Sequence, residues 1–89
     1  MSLEKERKAI DRIDGKILKL LEERMGASAR IAEIKKAEGL KITDSGREKE
    51  ILEKIESMSS PDFADGNKQV WKAIIKASKD HQKKLMETD

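Results

Sequence analysis

The stretch "IDRIDGKILKLLEERMGASARIAEIKKAEG", Ile10 to Gly39, decides the fold. Ile10, Ile13, Ile17, Leu20, Leu21, Ala27, Ile31 and Ile34 recur at spacings of three and four, the period of a helix with one apolar stripe. No proline interrupts the pattern from Leu3 onward, and Gly39 supplies a C-terminal cap. The spacing predicts one helix over about residues 3–38, about 54 Å long at 1.5 Å per residue. Gly15 and Gly26 are soft spots inside it, each costing roughly 1 kcal/mol against alanine. Ser28 also stands where a better helix former or a larger apolar group is expected.

Two cations fall on the wrong face. On a wheel of ~100° per residue, Ile10, Ile13, Ile17, Leu20 and Ile31 share an arc of about 80°, and Arg24 and Lys35 lie inside it. Arg7 sits at its edge, one turn before Ile10, while Lys16, Arg30 and Lys36 project elsewhere, toward solvent. A long basic side chain can lay its stem on apolar surface and keep its head wet, or it can form an ion pair within the chain. A third reading is a pocket for a small anion. An unpartnered buried cation is costly, arginine's fork matches a carboxylate, and lysine supplies a compact point charge.

The remaining chain reads as two more helices. "LKIT" is a connector, and "TDSGRE" begins a helix over about 45–57, with Ser45 and Glu48 spaced as a capping box and Asp44 as a second cap candidate. Ile51, Leu52 and Ile55 form its apolar face. Capping accounts for Asp44 and Glu48 but not for Arg47, because a cation near a helix N-terminus is unfavourable unless an anion lies close by. "SMSSPDFADG" holds the only proline and is mostly loop. The third helix covers about 65–87, with Val70, Trp71, Ile74, Ile75, Leu85 and Met86 at helical spacing. Ser78 and Gln82 lie within its apolar arc, one turn apart. They are either a core polar pair or donors to a ligand. Trp71 reads as core, His81 as a surface residue, and Met25, Met58 and Met86 as packing or surface.

Composition narrows the function classes. Eighty-nine residues make a single domain, 1–89, whose own core is marginal. Charged residues are 43% and aromatics 2%, which favours a helical, heavily solvated surface. Twenty Lys and Arg against 18 Asp and Glu give a net charge of +2, with the signs interspersed and no basic arm of the kind that binds nucleic acid. Without cysteine there is no disulfide, thiolate or zinc–cysteine chemistry, and one histidine makes no His-rich metal site. "MSLEKERKAI" lacks the apolar core of a signal peptide, and no run is apolar enough to span a membrane. A cytoplasmic protein is the simplest expectation. A first helix of about 54 Å is too long for the other two to cover, since a compact domain of this size has a radius of gyration of about 12 Å. The expected fold is therefore all-α, with one long, one short and one medium helix per subunit, in a helical homodimer with the long helices packed along each other. An ordinary coiled-coil dimer with the same long helix is the plainer alternative.

Taken together, "R…IDRIDGKILKLLEERM…IAEIKK…GLKITDSGREKEILEKI" and "WKAIIKASKDHQ" resemble the AroQ-class, all-helical chorismate mutases. The likeness spans about Arg7 to Gln82. It rests on the combination of Arg7, Arg24, Lys35, the D-x-x-R-E group at Asp44, Arg47 and Glu48, and S-x-x-x-Q at Ser78 and Gln82. The resemblance implies an intertwined dimer with two equivalent sites and the Claisen rearrangement of chorismate to prephenate, on the way to phenylalanine and tyrosine. By that likeness Arg7 reaches into the partner's site to hold a carboxylate, and Arg24 and Arg47 complete the grip on the substrate's two carboxylates. Lys35 and Gln82 flank the ether oxygen, and Glu48 accepts from the ring hydroxyl. Asp44 and Ser78 line the site, and Ile31 and Ile75 form part of its apolar wall. The catalytic set implied is Lys35, Gln82, Arg24 and Glu48, with no metal or cofactor. A unimolecular pericyclic reaction of a dianion suits a chain rich in cations and poor in nucleophiles. Two rivals share these features: isochorismate-pyruvate lyase activity on the same scaffold, and a non-catalytic helical dimerisation or regulatory module.

Overall fold

A computed structural model describes residues 2–87. Three helices follow one another: α1 Leu3–Glu38, α2 Ser45–Met58 and α3 Ala64–Glu87. The long, short and medium lengths match the sequence pattern.

Both ends of α1 and the start of α2 have local causes. Ser2 caps α1, its Oγ accepting from the Lys5 amide at 3.3 Å. Glu4 and Glu6 in the first turn, and Lys35 and Lys36 in the last, oppose the helix dipole. Gly39 turns left-handed at φ 69°, and the Leu40 amide donates back to the Lys35 carbonyl at 2.8 Å, a Schellman closure. Asp44 caps α2, its Oδ1 accepting from the Arg47 amide at 3.0 Å. This corrects the capping-box expectation: Ser45 is the first helical residue, and Glu48 turns to Lys79 on α3 instead of back to the cap.

The α2–α3 connection is tied by side chains. Ser59 Oγ donates to the Ile55 carbonyl at 2.6 Å and accepts from Asn67 Nδ2 at 2.9 Å. Lys68 Nζ adds a bridge to Glu56 Oε1 at 3.3 Å. α3 packs against both α1 and α2. Trp71, Ile74, Ile75 and Leu85 are half-buried there, as are Ile51, Leu52 and Ile55 opposite. The most buried residues described, Ala32, Ser28 and Ser78, lie where α1 meets α3. On the outer face of α3, the hydrogen bond from Lys76 Nζ to Asp80 Oδ2 at 2.9 Å raises the lysine pKa and lowers that of the carboxyl.

The molecule is long and thin, 55 × 27 × 14 Å, with a radius of gyration of 16.2 Å against about 12 Å for a compact chain of this size. It exposes 7360 Å² where a compact monomer exposes about 5,300 Å². The excess has an address. The apolar stripe along the first half of α1 stays open, with Ile10 56%, Ile17 55% and Leu20 64% exposed. Val70, assigned to the apolar face of α3, is exposed too. No described helix is long and apolar enough to cross a membrane.

Candidate functional site

The second half of α1, the start of α2 and the second half of α3 line a cavity of about 280 Å³, near the lower end for small-molecule sites. α1 contributes Arg24, Ser28, Ile31 and Lys35, one continuous stripe at spacings of four, three and four. The start of α2 brings Asp44, Arg47, Glu48 and Ile51. From α3 come Ile75, Ser78, Lys79 and Gln82. Of the ten site residues expected from the sequence, nine line this one cavity.

Arg7 is the exception. It lies 17 residues before Arg24 on a straight helix, about 26 Å away along the axis. Its side chain is exposed, and it does not line the cavity of its own chain.

The two misplaced cations of α1 are accounted for by their surroundings. Arg24 Nη1 donates to Ser78 Oγ at 3.0 Å, and that hydroxyl donates on to Met25 Sδ at 3.4 Å. Lys35 Nζ donates to the Ile42 carbonyl at 2.9 Å, so the connector "LKIT" fixes the lysine head at the cavity wall. Both cations are half-buried, and each holds a neutral acceptor rather than a carboxylate. Neither simple snorkelling nor an internal ion pair describes them.

Gln82 Nε2 donates to the Ser28 carbonyl at 2.9 Å, which pins the amide to α1 and leaves its second N–H available. At the cavity's other side, Glu48 Oε2 accepts from Lys79 Nζ at 3.1 Å, with 25% of the lysine side chain and 29% of the glutamate side chain exposed. Arg47 lines the cavity but turns its Nη1 outward to Glu50 Oε1 at 2.6 Å. That carboxylate is the anion its position near a helix N-terminus called for.

Sequence reasoning missed Lys79, Ser28, Ile42 and Ile51 as cavity residues. Lys79 follows Ser78 directly and lies one turn after Ile75, yet one more lysine on a lysine-rich helix carries no signal of its own. Ile42 acts through its carbonyl, which side-chain patterns cannot report.

The cavity's charge defines its chemistry. Arg24, Lys35, Arg47 and Lys79 face it against two carboxylates, Asp44 and Glu48, so it carries an excess of two positive charges. Ile31, Ile51 and Ile75 supply an apolar wall. Such a site suits a small, partly apolar dianion in charge and size. It also presents a carboxylate to accept one hydroxyl.

Comparison with known proteins agrees in character. A family model described as chorismate mutase type II matches residues 6–83. A chorismate mutase of Methanocaldococcus jannaschii is 39% identical over 83 residues, covering 91% of this chain and 84% of that protein. A bifunctional chorismate mutase/prephenate dehydratase of Aquifex aeolicus is 55% identical over 49 residues, 55% of this chain but 14% of that much longer one. No solved structure matches the chain significantly.

Proposed function

The chain belongs to the chorismate mutase type II family, and from that premise we propose how its cavity carries out the rearrangement of chorismate to prephenate. The observation that carries the reading is the placing of Arg24 and Lys35 on one face of α1, three turns apart, opposite Gln82 and Glu48 across a cavity with two excess positive charges. Chorismate is a dianion bearing a ring hydroxyl and an enolpyruvyl ether.

Arg24 and Arg47 bind the carboxylates, Arg47 leaving the exposed Glu50 to do so. Glu48, steadied by Lys79, accepts from the ring hydroxyl. Asp44 and Ser78 complete the wall, and Ile31 and Ile75 press on the apolar ring face. These contacts hold the flexible side chain over the ring in the conformer that reacts, which removes much of the entropic part of the barrier. As the C–O bond breaks, negative charge gathers on the ether oxygen. Lys35 and the free N–H of Gln82 donate to it, in a site already organised by their bonds to Ile42 and Ser28. No proton is transferred in the step, so neither group has to titrate.

A second copy completes the assembly in this reading. The open stripe of Ile10, Ile13, Ile17 and Leu20 needs cover, and a homodimer with the long helices side by side supplies it. The same pairing gives Arg7 a purpose. Because it stands about 26 Å from its own Arg24, it serves the partner's site, adding a further cation for a carboxylate. A biosynthetic step on a small water-soluble dianion supports a cytoplasmic location.

Purified protein mixed with chorismate tests the reading directly. Loss of chorismate with formation of prephenate, unchanged by a chelator, is expected. Release of pyruvate from isochorismate, faster than any rearrangement of chorismate, would move the site to lyase chemistry, and no turnover of either by a folded protein would leave only a helical binding module.

A further inference from the structure

Among the described residues, Ser28 holds the one buried side-chain polar atom left unsatisfied. It is 6% exposed, and its Oγ finds no hydrogen-bond partner among the described residues. Buried hydroxyls are nearly always satisfied, and an orphan costs free energy that a fold does not ordinarily leave standing. A helical serine has an easy remedy: it can donate to the carbonyl one turn back, here that of Arg24. Ser28 does not take it. Alanine at this position would remove the orphan and raise helix propensity together.

The placing of the residue suggests what compensates. Ser28 lines the cavity one turn after Arg24 and two turns before Lys35, in the middle of the stripe that grips the anion. Its own carbonyl anchors the amide of Gln82. An oxygen-rich ligand held by those three side chains passes over Ser28. We propose that Ser28 Oγ is a further substrate-binding group, a neutral donor between Arg24 and Lys35 that is satisfied only when the dianion is bound. This rests on the chorismate mutase reading of the cavity and adds a contact to it. The hydroxyl gives directional hydrogen bonding at a point where a further cation would crowd the existing two.

The proposal predicts effects of opposite sign in one variant. Ser28→Ala should melt about 5 °C higher without ligand, because the orphan is gone and the helix is better. The same variant should bind prephenate, measured by calorimetry, about five- to tenfold more weakly, and its kcat/KM for chorismate should fall by a similar factor. Ser28→Cys, with nearly the same volume and a weak donor, should fall between the two. A Ser28→Ala protein less stable than wild type with unchanged binding would show that the hydroxyl holds an internal water, and would overturn the proposal. Unchanged stability and unchanged binding would overturn it equally. Absence of turnover and of prephenate binding in the wild-type protein would instead bring down the reading of the site, and this inference with it.

Discussion

Lys79 Nζ stands 3.1 Å from Glu48 Oε2, so the carboxylate assigned to the ring hydroxyl is held by a cation from another helix. The pair crosses the α2–α3 contact at the cavity wall, with both side chains about three-quarters buried (25% and 29% exposed). Burial lifts it above the exposed pairs on these helices, which contribute little. Lys79→Met keeps the apolar stem and removes the charge. Its kcat/KM should fall about three- to tenfold, within the range for a hydrogen bond to a charged group. In a Glu48→Gln background the same change should have little further effect on prephenate binding, because the lysine acts through the glutamate. A full additional loss in the double variant would mean that Lys79 grips the ligand itself.

Gln82 offers a test of the electrostatic term. Gln82→Ala should lower kcat by roughly 10²–10³, the usual loss for one donor to a developing oxyanion. Gln82→Glu is sharper, because a carboxyl donates only when protonated. Below an ordinary glutamate value of about 4.3 the variant holds a donor, and above it a carboxylate faces the charged oxygen. Its kcat/KM should therefore fall as pH rises through that range, while the wild-type donor does not titrate. A flat profile for Gln82→Glu would remove Gln82 from the ether oxygen.

Two glycines of the long helix should respond in opposite directions. Gly39 closes α1 at φ 69°, a conformation that a β-carbon strains, so Gly39→Ala should cost about 1 kcal/mol. Gly26 lies inside the helix, and a β-carbon there would meet only Arg30 Nη1 at 3.6 Å, an ordinary contact. Gly26→Ala should stabilise by roughly 1 kcal/mol. Either change corresponds to a shift of about 4–8 °C in Tm, with the two variants compared at one protein concentration. Destabilisation by Gly26→Ala would show that the assembled protein needs close approach at that position.

How far these features could be read in advance follows from where their causes lie. The three helices were legible because their signals are local: a period of three and four, a terminal glycine, a loop marked by proline and serines. Arg24 and Lys35 were legible because the helix wheel alone exposes them as misfits. Ser78 and Gln82 followed by the same logic. The choice of cap was not, since Asp44 and Ser45 both suit the role and only the Arg47 amide decides between them. Lys79 was hidden because its meaning depends on the register between α2 and α3, which brings it to Glu48, 31 residues earlier in sequence. In the sequence Ser28 reads only as a poor helix residue. Its meaning depends on burial, which a wheel cannot measure.

The extended shape makes the last test quantitative. A radius of gyration of 16.2 Å and an uncovered stripe of isoleucines support the proposed dimer, for which sedimentation should find the mass of two chains. If Arg7 completes the partner's site, Arg7→Ala and Lys35→Ala each damage both sites of their own homodimer. Unfolded together in equal amounts and refolded, the two variants should form about half mixed dimers. One site of each mixed dimer then joins an intact Lys35 from one chain to an intact Arg7 from the other, and its second site lacks both. Activity should return to about a quarter of the wild-type value, well above either variant alone. Recovery should also require the shared refolding step, since two stable homodimers simply mixed would exchange slowly. If refolding produces mixed dimers without activity, each site is built within one chain, and Arg7 has another use.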